Sequence, residues 1–238
     1  HFGYNPNEPV IKDINFSVDA GQTIALVGAT GAGKSTIINL LTRFYEIDKG
    51  QINVDGVAIK DYTLAGLRGH IAVVLQDVFL FADTILQNIT LGDPEITEEM
   101  VVAAAQEIGV HDFICSLPQG YHYNVKERGT TLSSGQRQLI AFLRAFVSKP
   151  SILILDEATS SVDSYSEELI QNATDRITRG RTSIVIAHRL ATIQKADQIL
   201  VMEQGHIVER GTHADLIKKE QGPYKSLYEV QFLAQPEP

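Results

Sequence analysis

The chain has 238 residues, 44% hydrophobic and 21% charged, a balance that supports a buried core and excludes a disordered chain. Its 20 Lys and Arg stand against 29 Asp and Glu, a formal net charge of -9. That argues against nucleic acid as the main partner, because phosphate backbones need a basic face. Cys115 is the single cysteine, which excludes an internal disulfide and a cysteine metal cluster; it is expected as a small buried hydrophobe in a reducing compartment.

No signal peptide is visible, and no window approaches the roughly 20 apolar residues that cross a bilayer, so a soluble chain is expected. The opening "HFGYNPNEP" lacks Met and runs at once into turn residues, as in a piece of a longer polypeptide.

The first apolar run, "TIALVG" (23–28), reads as a strand buried on both faces. A glycine-rich loop follows, then a helix over "KSTIINLLTRFY" (34–45). "QINVDGVAIKD" (51–61) reads as a hairpin turning at Asp55-Gly56, and "IAVVLQ" (71–76) as a second buried strand. Residues 77–150 show helices and no clear buried strand, as in a helical lobe inserted between core strands. The helices there are "EEMVVAAAQEIGV" (98–110) and "SSGQRQLIAFLRAFVS" (133–148), the second with a Ser start. "ILILDE" (152–157) and "TSIVIAH" (182–188) are two more buried strands, flanking a helix at 166–177. A hairpin over 198–212 turns near Gln204-Gly205, and the tail "LAQPEP" is expected to fray. The pattern is an α/β fold with a mostly parallel sheet, whose ligand should lie at the carboxyl ends of the strands.

Two segments at those ends carry chemistry. In "GATGAGKST", Gly28, Gly33, Lys34 and Ser35 fit G-x-x-x-x-G-K-[ST] between a strand and a helix. Glycines let backbone N–H groups curl round an anion, and the helix N-terminus adds partial positive charge. Gly28, Ala29, Thr30, Gly31, Ala32, Gly33, Lys34, Ser35 and Thr36 are therefore candidate phosphate-binding residues, with Lys34 on the β and γ phosphates and the Ser35 hydroxyl on Mg²⁺. The competing reading is a flexible Gly/Ala turn. In "ILILDE", a carboxylate ending a buried strand is costly unless it meets a cation. Asp156 fits a Mg²⁺ ligand, direct or through water, and Glu157, pointing elsewhere, a general base towards the attacking water. The competing reading is an acidic N-cap pair before "ATSSVDS".

The phosphate loop alone leaves kinases, GTPases and motor ATPases open. "TLSSGQRQ" (131–138) resembles the signature of ATP-binding cassette (ABC) proteins, usually L-S-G-G-Q. "FGY", "VVLQD", "SSVD" and "IAHR" match that family's other motifs in order, so that essentially the whole chain resembles the nucleotide-binding domain of an ABC transporter. The resemblance implies a P-loop NTPase fold with an antiparallel β subdomain and an inserted α-helical subdomain. Residues 1–76 and 151–238 would form the RecA-like core with the β subdomain, and 77–150 the helical signature subdomain.

It also implies roles. Tyr4 would stack on the adenine of ATP, Gln76 would act near the Mg²⁺, and His188 would be the switch histidine. Ser160, Ser161, Val162 and Asp163 would form the D-loop. Leu132, Ser133, Ser134, Gly135 and Gln136 would contact the ATP of a partner domain. Two such domains, of like or unlike chains, would clamp two ATP molecules head to tail at the cytoplasmic face of the cell membrane, against the transporter's transmembrane domains. "KERG" (126–129) partly matches the exporter pattern T-E-V-G-E-R-G, "FADTILQNI" (81–89) resembles the exporter segment after Gln76, and no regulatory domain follows "GPYKSLYEVQF"; these favour the exporter branch. Ser134 in place of the first signature glycine, and Thr30 where Ser or Asn is commoner, are departures. Two rivals are a non-transport ABC ATPase, for which a second cassette or a long coiled coil is missing, and a nucleotide-gated regulatory module, against which Glu157 and His188 stand. The remaining histidines are expected on the surface.

Overall fold

A computed structural model describes residues 1–157 and 164–230. Its elements, in chain order, are β1 (Thr23–Val27), α1 (Lys34–Leu41), β2 (Asn53–Val54), β3 (Val57–Ala58), α2 (Leu64–Gly69), β4 (Ile71–Val74), α3 (Ile85–Thr90), α4 (Glu98–Ile108), α5 (His111–Ser116), α6 (Ser134–Val147), β5 (Ile152–Asp156), α7 (Ser164–Thr178), β6 (Thr182–Ile186), α8 (Leu190–Lys195), β7 (Gln198–Glu203), β8 (His206–Gly211), α9 (His213–Leu216) and α10 (Pro223–Tyr228). The main sheet runs β4-β5-β6-β1-β7-β8, and β2-β3 form a separate two-stranded sheet. Every pairing in the main sheet is parallel except β7–β8.

The apolar runs are continuous because the sheet is covered on both faces. Successive side chains point to opposite sides. Ala25, Val27, Leu153, Leu155 and Val185 enter one core, with Leu139, Phe142 and Phe146 of α6 and Ile170 and Ile177 of α7. Their neighbours Ile24, Leu26, Ile154, Ile184 and Ile186 enter a second core, with Ile37, Ile38 and Leu40 of α1. α1 and α6 thus lie on opposite faces. The parallel register sets Asp156 beside Ile186, and Ile186 beside Leu26, so the residues following β5, β6 and β1 emerge along one edge.

Residues 77–150 carry α3 to α6 and no strand. Asn88, fully buried, fixes the segment before α3: its Oδ1 accepts from the Phe81 N–H at 2.8 Å, and its Nδ2 donates to Phe81 O and Thr84 O at 3.0 Å. Arg144 of α6 donates to Asn88 O at 2.7 Å. Burial lowers its pKa, and backbone carbonyls satisfy the guanidinium.

Several elements depart from expectation. α1 stops at Leu41 rather than continuing to residue 45, because Thr42 Oγ1 donates back to Ile38 O at 2.8 Å and Arg43 turns left-handed at φ 51°. The Arg43 guanidinium then donates to Ile59 O and Tyr62 O at 3.0 and 2.9 Å, tying this turn to the residues after β3. Cys115 is exposed, not buried, since α5 turns Phe113 and Ile114 inward instead. Two of the histidines expected on the surface are half-buried against tyrosines: His111 Nδ1 lies 2.9 Å from Tyr121 Oη, and His213 Nδ1 2.6 Å from Tyr224 Oη. "LAQPEP" lies outside the described residues.

Candidate nucleotide-binding site

The turn from β1 to α1 is built against β7. A β carbon on Gly28 (φ 150°) would lie 2.2 Å from Met202 O, and one on Gly33 (φ 101°) 2.9 Å from Ile11 Cδ1. Only glycine fits that approach. Gly33 also caps α1, with no side-chain cap and no acidic residue in the first turn, so the partial positive end of the helix faces outward. Ala29, Thr30, Gly31 and Ser35 form the exposed rim, while Ala32, Lys34 and Thr36 are buried. Lys34 Nζ bends back to donate to Gly28 O at 2.7 Å and Ala29 O at 3.0 Å. Burial lowers its pKa, and the Asp156 charge opposes that shift.

Asp156 ends β5, half-buried. Burial raises its pKa, Lys34 lowers it, and Asp77, just past Gln76, raises it again. Asp77 is an acidic neighbour that the motif reading passed over, although its place after a strand end was the available signal. Gln76 itself is exposed on the same edge, two residues past β4. His188 follows β6, half-buried; burial and then the Lys34 charge lower its pKa, which keeps the imidazole neutral at neutral pH.

Glu157 departs from its expected water-facing orientation. It is 1% exposed. Its Oε1 accepts from Thr192 Oγ1 at 2.6 Å, and its Oε2 from the His188 and Arg189 N–H groups at 3.2 Å each. Burial raises its pKa against these bonds. No motif pointed to Thr192, because its partner lies 35 positions away.

Tyr4 reaches α1 from the far N-terminus. The Phe2–Ile11 bridge and the Lys12 N–H to Gly205 O bond dock that segment on the β7–β8 turn. Tyr4 Oη donates to Thr36 Oγ1 at 3.2 Å and accepts from Asn39 at 3.3 Å, and its ring meets Phe2 and Tyr45 edge-on at centroid distances of 5.0 Å. Tyr4 remains 47% exposed. Tyr45 was not singled out by motif and supports that ring.

The signature residues sit elsewhere. Ser133 caps α6 in a capping box: the Gln136 N–H donates to Ser133 Oγ at 3.2 Å, and the Ser133 N–H to Gln136 Oε1 at 3.0 Å. Leu132 and Gly135 are buried, Ser134 and Gln136 half-buried, and Ser133 exposed. Just upstream, Lys126 holds φ 61°, ψ -176°, a region reserved almost entirely for glycine. It stands where the exporter pattern T-E-V-G-E-R-G has its first glycine. Ser160, Ser161, Val162 and Asp163 lie outside the described residues.

A parallel sheet whose strand-end carboxylates meet a glycine-lined helix N-terminus and a buried lysine defines a P-loop nucleotide-binding domain. The sequence pattern of the family described as "ABC transporter" matches residues 11–160. A relative in Staphylococcus aureus (strain NCTC 8325), named for multidrug export as an ATP-binding/permease protein, is 53% identical over 233 residues, covering 98% of this chain and 40% of its own length. Its counterpart in the bovine strain RF122 is 53% identical over 234 residues, with the same coverage. A solved bacterial Atm1-family ABC exporter with ATP bound superposes with a TM-score of 0.90 at 42% identity, over 99% of this chain and 41% of that one. The chain belongs to the ABC transporter family and is its ATP-binding domain, an ATPase by class. It spans about two fifths of the length of these relatives. Among the described residues no helix is long and apolar enough to cross a membrane.

Proposed function

We propose that this domain hydrolyses ATP to drive export across a membrane, with ATP held between two such domains meeting head to tail. The observation that carries this reading is the convergence of Lys34, Asp156, Glu157 and His188 at one sheet edge. Lys34 would exchange two neutral carbonyls for phosphate oxygens, a stronger charge-assisted bond. The free N-terminus of α1 would hold the same phosphates. Tyr4 would offer its ring to adenine.

The donor set suits Mg²⁺. Among the described residues no three His, Cys, Asp or Glu side chains gather as a metal cage, whereas Mg²⁺ commonly takes one or two carboxylates plus phosphates. Asp156, Ser35 and Gln76 would hold it, and the bound ion would supply charge neutralisation at the phosphates. Glu157 would take the proton of the attacking water as the γ-phosphate parts from ADP, and neutral His188 would hydrogen-bond the transferring group.

Ser133 and the signature residues beside it would reach the γ-phosphate of the facing domain. That contact exists only with ATP, so hydrolysis removes it and lets the pair separate. Like or unlike partner chains fit this scheme, with transmembrane domains receiving the motion through the Gln76 segment at the cytoplasmic face of the membrane.

The test is Glu157→Gln in the intact transporter. Phosphate release should fall by about 10²–10⁴-fold while ATP binding persists and an ATP-dependent dimer accumulates. Unchanged phosphate release would remove Glu157 from the role of base.

A further inference from the structure

The Glu157 carboxylate is turned inward and held mostly by protein donors. The residue is 1% exposed, and protein donors occupy both oxygens. A carboxylate offers about four acceptor directions, and three are taken here by Thr192 Oγ1 and the His188 and Arg189 amides. In this pose the carboxylate is committed to the protein through three of those directions.

The three donors belong to one structural unit, the turn from β6 into α8. His188 and Arg189 precede α8, and Arg189 is its N-cap, with no side-chain cap of its own. The Glu157 side chain accepts from the two backbone amides that lead into the helix, both partly buried. Thr192, 6% exposed in the first turn of α8, adds the shortest bond, at 2.6 Å. The same turn carries the His188 ring.

We propose that Thr192 is a positioning residue that clasps the Glu157 carboxylate in a withdrawn pose, tying it to the His188 turn so that the base reaches water only when that turn moves. This rests on the reading of Glu157 as the base. Binding at the His188 ring and release of Glu157 then become one event. A carboxylate loosened from the turn without that event would activate water in the absence of productive closure.

Thr192→Val keeps the shape and removes the donor. In the intact transporter without cargo, ATP turnover should rise, by up to about tenfold for one lost hydrogen bond to a charged group, at unchanged KM for ATP. Thr192→Ser, which restores the hydroxyl, should bring the rate back down. Hydrogen exchange at the His188 and Arg189 amides should speed up in Thr192→Val. A merely structural role would instead lower melting temperature and turnover together, and Thr192→Ala repeats the test where valine disturbs packing. A fall in kcat at unchanged KM would overturn the proposal, as would an unchanged rate. So would open-loop exchange rates at these two amides in the unaltered protein, a measurement that needs no variant. Glu157→Gln beside Thr192→Val separates the two readings. If it turns over normally, the base assignment fails; if it is inactive while Thr192→Val behaves as the parent, only the clasp fails.

Discussion

The phosphate-loop edge and the signature helix handle polar groups in opposite ways. At the edge, Lys34 and Glu157 are 8% and 1% exposed, and each is satisfied within the chain. At the start of α6, Ser133 is exposed and its hydroxyl caps only its own helix. The edge gathers buried polar groups, whereas the signature sets an exposed serine at a helix end beside a buried Leu132. Buried polar groups must find partners, so the edge resists substitution through the whole fold. Exposed Ser133 can change to another capping residue with little cost to folding, and the effect should then appear only between molecules.

The largest expected effect follows from that contrast. Lys34→Ala should abolish ATP binding at its own site. Ser133→Asp keeps a good N-cap and leaves the fold intact, yet sets a negative charge against phosphate. Each transporter alone should lose nearly all turnover, whereas mixing the two chains should restore it, because one mixed site has an intact loop and an intact signature. Phosphate-release assays on singly expressed and co-expressed chains check this. No recovery on mixing would mean that each chain uses its own signature.

A medium effect of opposite sign is expected upstream of the signature. Lys126→Gly should raise stability by about 1 kcal/mol, since a non-glycine residue at φ 61°, ψ -176° carries strain of that order. Denaturant unfolding measures it. Equal or lower stability would show that the lysine side chain contributes more than its backbone costs.

The smallest effect concerns His188. Its folded pKa lies below the ordinary value near 6.5, so the unfolded chain binds a proton that the folded chain resists. Its contribution to stability is therefore complete above about pH 6.5 and is lost as pH falls through the folded value. His188→Asn should be less sensitive to acid over that window in melting experiments. An identical acid response would place the imidazole in contact with solvent.

Much of the fold was legible because its strands are short apolar runs bounded by turn residues. β1, β4, β5 and β6 lie within the predicted runs, and the β7–β8 turn falls at Gln204-Gly205 as read. Less legible was whatever depends on partners distant in sequence. The turn that ends α1 is held by Arg43 on the carbonyls of Ile59 and Tyr62, and the exposure of Cys115 is set by which side of α5 meets the core. Asp77 and Tyr45 join the site through neighbours that no local motif names.

The residue pattern alone pointed to a phosphate-binding edge. A glycine-rich turn before a lysine suits an anion-sized ligand, and an acidic pair ending a buried strand needs a cation or donors. The folded chain decided which of these satisfies Glu157. Its carboxylate closes on Thr192 and on two amides of the next strand's turn, because a charge at 1% exposure must take whatever donors the packing brings within reach.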